Sequence, residues 1–185
     1  TRRGMVFGGQ EHHYDAIVFA TGFDAMTGTL LRMEIHGKNG TTLKQEWVDG
    51  PTSFLGICIA EFPNLFTITG PGSPSVLSHV LMAIEQHVDW IADLLVYMRA
   101  RELDVVAATQ KAQADWVEHV QAVTKGTLFS EANSWYMGAN VPGKPRIFMP
   151  YVGGAHNYRA RCNQIAAAGY EGFDFSQRGH QTSAG

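Results

Sequence analysis

Along this chain the spacing of apolar positions changes from stretch to stretch, and each spacing predicts an element. Residues Gly4 to Tyr14 hold two short β-type runs on either side of Gly8-Gly9. Glycines accept the positive φ that a tight turn demands, so a hairpin is expected. After Asp15 the run Ala16-Ile17-Val18-Phe19-Ala20 is continuously apolar and leads into Thr21-Gly22. That is the pattern of a strand buried on both faces, usual in a parallel sheet, ending in a turn. Between Gly28 and Gly56 the glycines, Thr41-Thr42 and Gly50-Pro51 interrupt any period, which predicts short strands and loops. Leu65-Phe66-Thr67-Ile68-Thr69 predicts a second apolar strand, after which Gly70-Pro71-Gly72-Ser73-Pro74-Ser75 turns the chain into a long helix. There Leu77, Leu81, Ile84, Val88, Ile91, Leu95 and Met98 recur at steps of three and four as one apolar stripe, with Asp89 and Asp93 off it. A second helix is predicted from Thr109 as N-cap, through Trp116, Val117, Val120 and Val123, to Gly126 as its stop. From Thr127 onward Gly, Pro, Asn and aromatics predict ordered loops and short elements, and the polar residues after Phe175 predict a frayed tail.

Composition narrows the class. A chain of 185 residues supports one core but is small for an enzyme holding two dinucleotides. Hydrophobic residues at 45% and charged residues at 17% place it among globular proteins and away from disorder. The net charge of -3 comes without a Lys/Arg run, so nucleic acid is not expected as a partner. The apolar stretch Val76 to Met98 is broken by Glu85, Asp89 and Asp93, which argues against a membrane span. Cys58 and Cys162 lie far apart without a CxxC spacing, as two reduced thiols of a cytoplasmic protein would. The chain opens at Thr1 and not at Met, which points to a piece of a longer protein.

Two places carry candidate chemistry. A helix starting after Thr69 would aim unpaired N–H groups and a positive dipole end at whatever lies above it, favouring an anion or an electron-rich ring such as a flavin. The alternative is that Gly-Pro-Gly only turns the chain into a core helix. The stretch Asp15 to Asp24 would bring the bare backbone of Ala20-Thr21-Gly22 to a sheet edge, where ligands bind in open α/β folds. A plain strand-to-loop turn is the alternative there. His12-His13, His79, His87, His119 and His156 show no HExxH or close Cys/His grouping, so surface or hydrogen-bonding roles are expected in place of metal ligation. No Ser sits in a GxSxG elbow.

Taken together, these stretches carry a resemblance. Asp15 to Asp24 resembles the ATG motif of flavoproteins with two dinucleotide-binding domains, and ATGFDAMTG is similar to the form found in Baeyer–Villiger monooxygenases. The agreement continues through Leu43 to Trp47, Phe62 to Phe66, Gly70 to Leu77, Ile84 to Val88 and Ser134 to Lys144. The resemblance implies the C-terminal part of an α/β enzyme: a partial FAD/NAD(P)-binding three-layer fold with a long helix and a loop-rich C-terminal region. Residues 1–100 would belong to the FAD-binding domain, 101–175 would form a helical and loop-rich segment with a mobile loop that contacts NADP, and 176–185 a disordered tail. Such enzymes use FAD and NADPH to insert oxygen beside a ketone carbonyl, giving esters or lactones.

Position by position, the resemblance puts Ala20, Thr21 and Gly22 beside the nucleotide cofactors and Gly70, Gly72 and Ser73 near the flavin. Ser75, Val76 and Leu77 match a bulge that also lines the substrate pocket. Trp135 matches a loop tryptophan that reaches NADP, with Asn140 and Lys144 on the same loop; an indole offers one N–H donor and a broad stacking face. The departures are as telling. No GxGxxG occurs, and nothing matches the family's His- and Trp-containing fingerprint or its catalytic arginine, so no catalytic residue is assigned. The expected partners are a ketone and the N-terminal FAD and NADP domains of the parent enzyme. The chain alone is expected to be inactive and prone to self-association through apolar surface. The alternative is a non-catalytic module that works by associating with a partner chain. Another flavoprotein class, such as an N-hydroxylase or a reductase, fits the Ser134–Asn140 and Gly70–Ser75 stretches less well.

Overall fold

The computed structural model of the protein describes residues 1–20, 24–132, 134–139, 141 and 143–177. The predicted hairpin is present: β1 (Gly4–Phe7) pairs antiparallel with β2 (Gln10–His13). Gly8 and Gly9 turn the chain at φ of 59° and 79°, a conformation that a side chain would strain. The next run departs from expectation. Residues 16–20 form no strand, and Val18 and Phe19 are 85% and 80% exposed. An apolar run becomes a buried strand only where neighbours take its backbone groups and cover its faces, and no described strand lies beside it.

The region between Gly28 and Gly56 also differs, forming short helices where strands were predicted. Helix α1 spans Gly28–Arg32 and α2 spans Leu43–Glu46, with a single 3-10 turn at Lys38–Gly40. Thr42 and Gln45 close a capping box on α2, each satisfying an N–H of the other. Leu43, Trp47, Ile59 and Phe62 then make a small core with Leu30 and Leu31 of α1. Residues 65–69 contribute only an isolated bridge, Phe66 to Cys58, in place of the predicted strand. Again no described strand runs alongside to extend the ladder.

The turn at Gly70–Ser75 does not open directly into the long helix. A 3-10 turn at Ser75–Leu77 intervenes, and α3 runs from Val80 to Arg99 behind a His79 cap. The face of α3 that meets the core overlaps the predicted stripe only in Met98 and, at the core's edge, Ile91. Ala83, His87, Trp90, Leu94 and Met98 are buried, whereas Leu81 is 64% exposed and Val88 and Leu95 also face outward. Both stripes are apolar, and packing chose the one that carries Trp90. Among the described residues no helix is long and apolar enough to cross a membrane.

The rest of the core follows from α3. Strand β3 (Val105–Ala108) pairs antiparallel with β4 (Phe173–Ser176), setting Val106 opposite Phe175. Helix α4 (Gln110–Thr124) begins at the predicted cap, the Thr109 side chain accepting from the Ala112 N–H, and ends before Gly126 at φ 82°. Helix α5 (Ala155–Ala167) lies where loops were predicted; Tyr158, Cys162 and Ile165 form its buried face, and Trp90 Nε1 of α3 donates to the Cys162 carbonyl at 3.0 Å. One core joins Leu55, Trp90, Leu94, Val106, Trp116 and Tyr158, drawing on both sides of the expected boundary at residue 100. Cys58 and Cys162 are free and buried. Burial pushes both thiols up, Cys162 to about 11, which keeps them protonated and unreactive. The outcome is a mixed helix-and-strand architecture, the partial α/β fold with a long helix and loop-rich remainder that the sequence predicts, although the described residues form no parallel sheet. Of the expected tail, Ser176 ends β4 and residues 178–185 lie outside the described residues.

Candidate functional site

The Gly70–Ser75 turn is knitted into the protein from below. The Gly70 N–H donates to the Gly56 carbonyl, which also accepts from Thr67 Oγ1 at 2.9 Å. A Cβ on Gly70 would stand 2.6 Å from Thr67 Oγ1 and 2.7 Å from Gly56 O, so glycine is required for this close approach. The Gly72 N–H donates to Met149 O at 2.7 Å and its carbonyl accepts from Trp116 Nε1. The Ser73 hydroxyl and N–H both donate to Gly70 O, while Ser73 O takes the Tyr151 N–H. Pro71 and Pro74 have no N–H to offer. The N–H groups of residues 70, 72 and 73 are thus spent inside the fold and are not aimed at a ring. The turn is instead a rigid platform.

Two strained backbone positions flank this platform, and one side-chain pair holds both. Leu55 and Thr69 are left-handed, at φ 60° and 52°, a conformation that costs a non-glycine residue about 1 kcal/mol or more. His87 of α3 is fully buried, and its Nδ1 accepts the Thr69 N–H at 3.1 Å. That leaves the ring proton on Nε2, 2.7 Å from Tyr158 Oη of α5, which in turn donates to the Leu55 carbonyl at 2.5 Å. Burial pushes the His87 pKa from 6.5 down to about 4, against an upward pull from the Thr67 backbone, so the ring is neutral at neutral pH. His87 was legible as one histidine among eight and as part of the Ile84–Val88 match, without a role of its own; its register with Ala83, Trp90 and Leu94 was the available signal.

Above the platform lies a cleft of about 430 Å³ whose walls include Met26, Thr69, Gly70, Ser75, Val76 and Trp135. It brings together four of the expected residues, Gly70, Ser75, Val76 and Trp135, from two separate parts of the chain. Ser75 enters it at φ 44°, with its hydroxyl against Met26 Sδ at 3.8 Å. Trp135 starts a 3-10 turn at Trp135–Met137 and leans on Tyr136, ring centroids 4.1 Å apart. Leu77, Gly72, Ser73 and Ala20 do not line it; Leu77 and Gly72 are half-buried, Ser73 is buried and Ala20 is exposed. Thr21, Gly22 and Asn140 lie outside the described residues. A larger cleft of about 910 Å³ runs between α4 and α5 over Trp116 and Tyr151, and none of the expected cofactor residues lines it.

Lys144 does not line the cleft. Its ammonium donates to Asp24 Oδ1 at 2.5 Å and to Thr27 Oγ1 at 2.7 Å, with only 8% of the lysine side chain and 19% of the aspartate side chain exposed. Asp24 and Thr27 were not singled out by sequence reasoning. Both lie in the ATGFDAMTG stretch that carries the resemblance, which assigned neither a role.

No family model matches the chain. An acetone monooxygenase (methyl acetate-forming) of Gordonia sp. (strain TY-5) is 39% identical over 169 residues, covering 91% of this chain and 32% of that protein. A phenazine N-monooxygenase of Lysobacter antibioticus is 38% identical over 165 residues, covering 89% of this chain and 30% of that protein. Among solved structures, cyclohexanone monooxygenase from Rhodococcus sp. Phi1 bound to NADP+ superposes with a TM-score of 0.90 at 38% identity, over 95% of this chain and 33% of that one. A complex named OTEMO, with FAD and NADP, superposes with a TM-score of 0.83 at 35% identity, over 90% of this chain and 30% of that one. The chain thus spans about a third of the length of the proteins it matches.

Proposed function

We propose that this chain, which belongs to the family of Baeyer–Villiger monooxygenases, supplies the cleft wall and loop tryptophan of an FAD- and NADPH-dependent enzyme that inserts oxygen beside a ketone carbonyl. The observation that carries the reading is the meeting of Gly70, Ser75, Val76 and Trp135 around one cleft. The groups there suit a flat, partly apolar cofactor: a glycine floor without protruding side chains, the Met26 thioether, and an indole with a single donor. In this reading Gly70, Ser75 and Val76 border the flavin and, with Leu77, the ketone, while Gly72 and Ser73 act by holding the floor rigid. Trp135 borders NADP, and Ala20, Thr21, Gly22 and Asn140 remain expected nucleotide neighbours. FAD would supply oxygen activation after accepting hydride from NADPH. The chain's own residues would shape the space, exclude water and keep the cofactors and ketone in register. With no GxGxxG in the sequence, both pyrophosphates would be held by the remaining two thirds of the enzyme.

The outward faces of the fold support that reading. Val18, Phe19, Leu81, Met82, Leu95 and Val96 are large, apolar and exposed, and apolar surface on this scale is usually covered by another part of a protein. The remainder of the enzyme is the occupant this reading assigns. The relative that acts on phenazine nitrogen is the specific reason to keep N-oxidation as a second reading of the reaction.

The test is a chimera in which this chain replaces the matching third of cyclohexanone monooxygenase. We expect retained FAD after desalting, NADPH consumption and lactone from cyclohexanone. A chimera that folds and retains FAD yet converts no ketone would overturn the reaction assigned here. By itself, with FAD and NADPH added, the chain is expected to give no ester or lactone.

A further inference from the structure

We infer that Lys144 is a positioning residue: by binding Asp24 and Thr27 it latches the loop that carries Trp135 against the wall of the cleft. Asp24 and Thr27 stand just ahead of α1, on the segment that also places Met26 in the cleft wall. Lys144 is 120 residues away in sequence, so the ion pair closes a long loop and does not arise from local backbone geometry. Thr27 is itself buried, and its hydroxyl faces Asp24 as well as the ammonium. The three side chains therefore satisfy one another in a place where an unpaired charge would be strongly unfavourable.

The latch reaches Trp135 through the backbone. The Lys144 stem crosses Gly138, where an added Cβ would lie 3.0 Å from Lys144 Cδ. Gly138 is the left-handed residue that ends the Trp135–Met137 turn, its N–H donating to the Trp135 carbonyl at 2.9 Å. Beyond Lys144 the segment is pinned again, because Ile147 Cδ1 occupies the space over Gly50 that a side chain there would need, and Phe148 and Met149 are buried. The loop is thus anchored at its far end by apolar packing and near its tryptophan by the ion pair. Two of the three ammonium hydrogens are committed to Asp24 and Thr27, which leaves Lys144 poorly placed to recognise a nucleotide phosphate. The inference goes beyond the cofactor reading and survives its failure, since neither Asp24 nor Thr27 is asked to touch a cofactor.

The experiment labels the 185-residue chain with 5-fluorotryptophan and assigns its fluorine lines by replacing each tryptophan with Phe in turn. In Lys144→Met and in Asp24→Asn we expect the Trp135 line to move to the position of a freely mobile indole while the lines of Trp90 and Trp116, which report the core, stay in place. Lys144→Arg, which keeps a donor for Asp24, should restore the Trp135 line. An unmoved Trp135 line in both variants would overturn the latch. So would movement of Trp135 only together with Trp90 and Trp116 in both, because the pair would then hold up the fold as a whole and not the loop.

Discussion

Lowering the pH should destabilise this protein through His87 in particular. The ring is fully buried, its Nδ1 accepts from Thr69, and its Nε2–H faces Tyr158 Oη. A second proton on Nδ1 would break the Thr69 bond and place a charge in the core. The folded-state pKa is lowered to about 4 from the ordinary 6.5, so between those values the unfolded chain binds a proton that the folded chain refuses. Stability is therefore complete above about pH 6.5 and falls as the pH drops toward 4, after which both states are protonated and the loss levels off. Between about pH 7.5 and pH 4.5 the loss attributable to this one group is about 2.5 kcal/mol. The assay is urea unfolding followed by far-UV circular dichroism at both pH values, for the natural chain and for His87→Gln. Glutamine can accept from Thr69 and donate to Tyr158 but does not titrate, so subtracting its pH dependence removes the contribution of every other acid and histidine. Equal pH dependence in the two proteins would refute the argument that a neutral, buried His87 holds the Thr69 backbone.

Two further changes probe the same framework. Tyr158→Phe removes the hydroxyl that serves both Leu55 O and His87 Nε2; leaving two buried groups unpaired should cost about 2–4 kcal/mol in urea unfolding, and a cost near zero would mean that the pair does not constrain the backbone. Thr109→Ala removes the side-chain cap of α4 and should cost about 1 kcal/mol, measurable as faster amide hydrogen exchange at Ala112 and in the first turn of α4.

Elements governed by neighbours in sequence were legible from the sequence. Gly8-Gly9 marked the hairpin, Thr109 and Gly126 bracketed α4, and the run after Val76 marked a long helix. In each case one or two residues decide the local backbone, through a positive φ, a cap or a helical period. Helix α5 was missed although Tyr158, Cys162 and Ile165 repeat at helical spacing, because the Gly- and Asn-rich sequence around them masks a narrow apolar stripe. The resemblance to monooxygenases carried the expected site residues, and four of them do line one cleft; of the residues that hold that cleft together, His87, Asp24 and Thr27 lie inside the matched stretches but drew no role from them, and Tyr158 lies outside them.

What the sequence determined by itself was therefore the local grammar: turns, caps, the helical stretches and the family to which the chain is related. Only tertiary structure decided whether residues 16–20 and 65–69 would be strands, since a strand exists by virtue of partners that no run of apolar residues can supply for itself. Only tertiary structure chose between the two apolar stripes of α3, because period reports which residues share a face but not which face meets a core. The pairing of Lys144 with Asp24 across 120 positions belongs to the same class. Contacts of that range depend on how the intervening elements pack, and the chemistry of two residues read one at a time does not contain it.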